Sequence, residues 1–282
     1  MLYIKNLIET SITDILLAKN KIIKFDFDFN ENIDFLENSK IEEIYFESNS
    51  QFNKTLNKLP ISLKIIKLPR NFNHKIDFFP PNLEILIIFS NYNYELDNLP
   101  EGLLELHLFN NTNYDLSNLP NTIKILQTGN RDIKINILPA NLEKLILPRY
   151  HLYKIDIFPQ NLKHVQLSYY YNFDISNLPN NLQKLIIAGG PREYQEDDDN
   201  YYDFPEFDQD IDNLPDSIEE IEICVTEYNK KINKLPKNLE TIMFHVICHV
   251  DTPDIEEINN GDIDFYCRCM QCKDKFFKAN WL

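Results

Sequence analysis

Glycine is scarce in this chain: five in 282 residues, and neither a GxxxxGK[ST] loop nor a GxGxxG turn occurs. Nucleotide-binding cradles need those glycines for close backbone approach to phosphate, so that class is excluded. GxSxG and HExxH are also missing, which removes two common hydrolase signatures. No stretch approaches the ~18 consecutive apolar residues of a bilayer span. Between Met1 and Asn20 the apolar pattern is broken by Lys5, Glu9, Asp14 and Lys19, so it does not read as a secretory signal. Basic residues are outnumbered, 28 Lys+Arg against 44 Asp+Glu, giving a formal net charge of −16. That shortage excludes the basic stripe that nucleic-acid phosphates need and the polybasic patch that anionic lipid attracts. The five cysteines are an odd number with three crowded near the C-terminus, unlike a secreted disulfide framework. An intracellular protein is expected.

What is present is a beat. Pro60, Pro80, Pro100, Pro120, Pro139, Pro159, Pro179, Pro215 and Pro236 follow one another at 20, 20, 20, 19, 20, 20, 36 and 21 residues. A period in the low twenties is the mark of a solenoid. With Pro as position 0, apolar residues recur at +3, +6 and +8, as in Leu63, Ile66, Leu68 and Leu83, Leu86, Ile88. A spacing of two puts +6 and +8 on one face of a strand. Each unit therefore carries a short strand, and equal units travelling one way stack their strands in parallel. Apolar residues also sit at −4 and −1, and an aromatic with Asn at −8 and −7, as in Phe72-Asn73 and Tyr92-Asn93. Pro fixes φ and donates no N–H, so it starts a turn. Asn hydrogen-bonds backbone locally and, repeated at one depth, would bridge from coil to coil while the aromatics form a buried spine.

Phe52-Asn53-x-x-Leu56-x-x-Leu59-Pro60 and Tyr171-Asn172-x-x-Ile175-x-x-Leu178-Pro179 are near-complete copies of the written-out motif. It closely resembles the FNIP repeat, a leucine-rich-repeat relative of social amoebae and amoeba-infecting giant viruses. The resemblance covers roughly residues 29–244. It implies a repeat solenoid, leucine-rich-repeat-like, with short parallel β-strands in one curved or twisted sheet, turns opposite, and capped ends. It implies an interaction module, and host cytoplasm if the source is viral. Some relatives place an F-box before the repeats, which would imply a substrate adaptor for a ubiquitin ligase. Here only about 20–28 residues precede the first recognisable unit, too few for its three helices.

The expected organisation has three parts. Residues 1–28 are an N-terminal cap, helical from Leu2, Leu7, Ile8, Ile12, Ile15 and Leu16, followed by a degenerate strand at Ile22, Phe25 and Phe27. Residues 29–246 are the repeats, with an acidic insertion at 189–204. Residues 247–282 are a cysteine-containing cap. Eleven strands are expected.

Positions +5, +7 and +9 should face outwards. There Ile65, Ile85, Ile87, Phe89 and Phe109, with His107 among them, should form a patch that a partner protein or a second copy of the chain would cover. Glu193, Glu196, Asp197, Asp198 and Asp199 in the insertion would grip a basic partner or a divalent ion, with a solvated loop as the plain alternative. Cys248, Cys267, Cys269 and Cys272, with His249 beside them, are candidate ligands for a structural zinc; reduced, packed cysteines, or a disulfide in an oxidising compartment, are the other readings. Cys224 and His245 fall at +9 on neighbouring strands, the minimum for a nucleophile and base, but no third residue is seen to orient them. The function expected is a non-enzymatic protein-interaction scaffold. A ubiquitin-pathway adaptor and a Cys/His hydrolase are the rivals.

Overall fold

In a computed structural model of the chain, the residues described are 1–5, 12, 16, 21–89, 92–109, 115–129, 135, 137–148, 151–187, 207–224, 230, 232–244 and 264–267. The chain forms two compact units, Met1–Leu142 and Glu143–Leu282. The first holds β1 (Leu2–Ile4), β2 (Ile22–Phe25), β3 (Glu43–Phe46), β4 (Ile65–Leu68), β5 (Ile85–Ile88), β6 (Glu105–Leu108) and β7 (Ile125–Gln127). Each is hydrogen-bonded in parallel to the next. The second holds β8 (Lys144–Ile146), β9 (His164–Gln166), β10 (Lys184–Ile187), β11 (Glu220–Ile223), β12 (Thr241–Phe244) and β13 (Asp264–Cys267), again parallel in chain order. Both are repeat solenoids of short parallel strands, one strand per period.

The proline beat is a beat of turns. The Leu63 N–H donates to the Pro60 carbonyl at 3.0 Å, and the same bond recurs from Leu83, Leu103, Ile123, Leu142, Leu162, Leu182, Ile218 and Leu239 to the proline three residues before each. A residue that cannot donate therefore sits where only its acceptor is used. The next carbonyl along links turn to strand. In unit 1 the Glu42 carbonyl accepts from Lys64 N–H at 2.7 Å and from Ile65 N–H at 3.1 Å, and Lys64 and Glu84 repeat this toward the following coil. At +2 a small polar side chain donates to the preceding coil: Ser62 to the Ile41 carbonyl at 2.7 Å, Asn82 to Ile61 at 2.9 Å, Thr122 to Glu101 at 2.7 Å, and, in unit 2, Asn181 to Gln160 at 3.0 Å.

Among the described side chains those at +3, +6 and +8 are buried, Leu63, Ile66 and Leu68 completely so. Thr128, polar at +8, is also buried. The aromatics at −8 stack coil on coil. Phe29–Phe52, Phe52–Phe72 and Phe72–Tyr92 lie 6.2, 6.1 and 6.2 Å apart at interplanar angles of 21°, 4° and 8°. In unit 2 His151 takes the same place and stacks on Tyr171 at 6.3 Å and 7°. Where the aromatic is tyrosine its hydroxyl is used: Tyr92 accepts the Ile76 N–H at 3.0 Å and Tyr171 the Ile155 N–H at 3.3 Å. The neighbouring Asn column bridges as expected, each side-chain carbonyl accepting the N–H one coil on, Asn30 from Asn53 at 2.9 Å, Asn53 from Asn73 at 3.1 Å and Asn172 from Asp208 at 3.2 Å.

Four expectations are corrected. The segment expected to begin a helical cap starts instead with β1, Leu2 and Ile4 pairing with Ile23 and Phe25; Ile12 and Leu16 are helical and exposed. The phase of β2 differs: Ile23 and Phe25 face the core, Ile22 is half-buried, and Phe27 lies beyond the strand at 40% exposure. Thirteen strands are described, not eleven, β1 and β13 being the additions. Finally, +9 is not uniformly outward. Pro69, Gly129, Pro148 and Ser168 are buried there, because the chain turns inward directly after the strand.

Candidate interaction surfaces on the strand faces

Every fully described four-residue strand from β2 to β11 alternates half-buried and buried, so +5 and +7 form an open face and +6 and +8 the core. On unit 1 this face gathers the predicted patch. Ile65 pairs with Ile85, and Lys67, Ile87 and His107 lie in one row across β4, β5 and β6. Just past the strands, Phe89 and Phe109 stack at 4.7 Å and 9°. Phe109 is 40% exposed. The Lys67 ammonium lies 4.9 Å from the Phe89 ring centre, a cation–π contact on that ring. The His107 ring runs parallel to Phe109 at 6.3 Å, with one nitrogen 3.1 Å from a Glu105 carboxylate oxygen and the other 3.2 Å from the Gln127 amide oxygen. The six predicted residues are thus brought together, apolar in the middle and polar at the rim. Beside them the Tyr45 hydroxyl donates to Glu43 at 2.8 Å; burial first, then this carboxylate, pushes its pKa up to about 12 and keeps the phenol neutral.

The face of unit 2 is different. Its +5 row reads Lys144, His164, Lys184 and Glu220 across β8, β9, β10 and β11. Lys184 is paired to Glu220 at 2.6 Å. Lys144 makes no ion pair among the described residues. His164, exposed between the two lysines, has its pKa lowered by partial burial and then by Lys144 and Lys184. The strand phase located each of these residues on the face; comparing them along the row, which the periodicity alone does not prompt, reveals the cationic run. His151 was missed for another reason: a histidine in the aromatic column carries no apolar signal.

Other predicted sites stand as follows. Cys224 is half-buried with its sulfur 3.7 Å from a Glu222 carboxylate oxygen. An anionic neighbour opposes thiolate formation, whereas an activated cysteine needs an electropositive setting. His245, its proposed base, lies outside the described residues, as do Cys248, His249, Cys269, Cys272 and the acidic insertion with Glu193, Glu196, Asp197, Asp198 and Asp199. Cys267 ends β13, where only the backbone is described. Among the described residues no group of three or more His, Cys, Asp or Glu is placed to hold a metal ion, and no helix is long and apolar enough to cross a membrane.

Comparison with known proteins agrees with this geometry. Residues 151–189 match the family model described as FNIP Repeat. Among solved structures, the chain is similar to the giant-virus protein CroV588, described as a novel circular LRR protein structure, at 25% identity and a TM-score of 0.72. That match covers 93% of this chain and 39% of CroV588. YopM from Yersinia enterocolitica WA-314 is similar at 16% identity and a TM-score of 0.45, over 87% of this chain and 61% of YopM. The chain thus spans less than two thirds of either protein. No curated protein matches it. The fold is that of a leucine-rich-repeat-type solenoid.

Proposed function

We propose that this protein is a non-enzymatic interaction scaffold whose unit 1 strand face docks a partner protein. The observation that carries the reading is the patch of Ile65, Ile85, Ile87, Phe89 and Phe109. A contiguous apolar surface rimmed by Lys67, Glu105, His107 and Gln127 has the anatomy of an interface centre and its rim. The backbone ladder below it is fully engaged from β2 to β7, so the face is rigid and binding does not have to order it. Aromatic side chains at the centre of such a patch are the usual source of binding energy.

The test is a double substitution, Ile87→Lys with Phe89→Lys. Both side chains are on the open face, so the strand core is untouched and the circular dichroism spectrum should be unchanged. Proteins captured from an amoebal lysate by the wild-type chain should be lost by the variant. Light scattering on the purified wild type reads the competing occupant: a dimer that the same substitutions dissolve would assign the patch to a second copy of the chain. Unaltered capture and unaltered mass would remove the proposal.

A further inference from the structure

On the second unit, we infer that the +5 row of Lys144, His164 and Lys184 is a docking surface for an acidic segment of a partner protein, distinct from the apolar patch. Charge is paired between several neighbouring coils of this chain. At +4, one position before the strands, several neighbouring coils carry opposite signs, Lys21, Glu42 and Lys64 in unit 1, with ion pairs from Glu42 to both lysines, and Glu143 with Lys163 in unit 2 at 2.9 Å, whereas Glu219 and Glu240 are both acidic. Opposite charges facing each other across strands stabilise, and like charges in that position destabilise. At +5 of β8, β9 and β10 adjacent coils are not matched in this way. Two lysines flank a histidine in register, in a chain that carries 28 basic residues against 44 acidic ones. The row's one acidic neighbour, Glu220, is at its far end and already engaged with Lys184. Among the described residues no acidic side chain of the row lies beside Lys144, so that end of the row is open to an anion.

The chemistry of that anion follows from spacing. Adjacent strands lie ~4.8 Å apart, so the row spans ~10 Å, and side chains two apart on an extended peptide are ~6.8 Å apart. Two carboxylates at i and i+2 would each fall between a pair of the cations. The next row on the same face, Ile146, Gln166 and Ile186, is half-buried and gives apolar footing to the intervening residues. An alternating acidic and apolar strand of a partner fits both rows. Carboxylates beside His164 would also reverse the lysines' effect on it. Around the imidazole stand Lys144, Lys184, Lys163 and Glu220, three cations against one anion. Binding would then take up a proton, and affinity should rise as pH falls from about 7 toward 5, above the range where free carboxylates protonate.

The probe is the labelled peptide acetyl-Ile-Glu-Ile-Glu-Ile-amide, with its Gln counterpart as control, titrated against the whole chain by fluorescence anisotropy. The Glu peptide should bind saturably and the Gln peptide about tenfold or more weakly. Lys144→Gln should weaken the Glu peptide by about the same factor, and Lys144→Arg should restore it. His164→Gln should flatten the pH dependence. Phe109→Ser in unit 1 should leave this binding unchanged, so failure here and failure of the apolar patch are separate results. The assignment is overturned if the two peptides bind equally, if Lys144→Gln has no effect, or if inorganic tripolyphosphate competes as well as the peptide. It is also overturned if the peptide binds only after residues 189–204 are deleted, which would make the chain's own acidic insertion the occupant.

Discussion

Tyr92 stacks on Phe72 as the phenylalanines before it stack on one another, yet it does one thing they cannot. Its hydroxyl takes the Ile76 N–H, a buried donor. Burial raises the pKa of this phenol, so at neutral pH the group is an intact hydroxyl. Tyr92→Phe keeps the ring and strips the acceptor. An unsatisfied buried N–H should cost about 1–3 kcal/mol, seen as a lower urea midpoint with unchanged slope, and faster exchange of the Ile76 amide. Tyr45 gives a second prediction. Its pKa is raised from 10.0 to about 12 by burial and by Glu43. A raised pKa contributes stability that is present below the unfolded value and lost as pH rises through the folded one. Wild-type stability should therefore fall between about pH 10 and 12 more steeply than that of Tyr45→Phe, measured by denaturant titration across that range.

A strand of this protein from β2 to β11 is three or four residues that alternate between core and open face, and substitutions should sort by that phase. Leu106→Ala, at a fully buried +6 position, should cost about 2–5 kcal/mol. Ile85→Ala, half-buried at +5, should cost well under half of that in the same denaturation series, because little apolar surface leaves water there. The sequence made this distinction legible from β3 to β12, since proline fixed the phase of most coils and Ile41, Ile44 and Phe46 carried it through the unit where Glu37 stands at the proline position. It failed at β1 and β2, before the first complete repeat unit. Ile22, Ile23, Phe25 and Phe27 offer two apolar alternations, and only pairing with Ile44 and Phe46 selects Ile23 and Phe25. Leu2 and Ile4 continue the same 21-residue step, but a short apolar run at a chain start reads equally as a helix. The buried +9 residues were illegible for another reason. Pro69 and Pro148 are set by where the chain turns after the strand, and strand periodicity has nothing to say beyond the strand's end. The apolar patch was readable because its members sit inside that period. The cationic row was readable residue by residue and needed the register to become a surface.

At the scale of each unit, every strand is bonded to its sequence neighbours, which makes the unit nearly one-dimensional. Deleting residues 81–100 removes one period and joins Pro80 to Glu101 with every remaining position in phase. The shortened chain should stay folded, with its β-type circular dichroism retained and a smaller urea slope in proportion to the lost surface. Deleting residues 81–90 should unfold the region, because it puts core residues out of step. Charge acts on the same scale. At neutral pH the −16 net charge repels itself. Against that, the Tyr3 hydroxyl and Phe27 N–H lower the pKa of Asp26, Ser176 lowers that of Asp174, and Lys237 that of Asp216, all from 3.8. A lowered pKa contributes stability above the unfolded value and loses it as pH falls through the folded one. The thermal midpoint should therefore rise from pH 7 toward about 5 as repulsion eases, then drop below about 4. A steady fall from neutrality would contradict this balance.

The aromatic spine has an optical consequence. Phe29, Phe52, Phe72 and Tyr92 form a file of near-parallel rings, each about one coil from the next, and the file ends in the one chromophore of the four with the lower excitation energy. Light absorbed by the phenylalanines should pass along the file and emerge as tyrosine emission. Coupling of this kind falls steeply with separation, so sensitised Tyr92 emission reports whether successive coils are in contact. Because the chain carries fifteen tyrosines, that gauge of coil stacking is read as the part of the phenylalanine-excited emission that Tyr92→Phe removes.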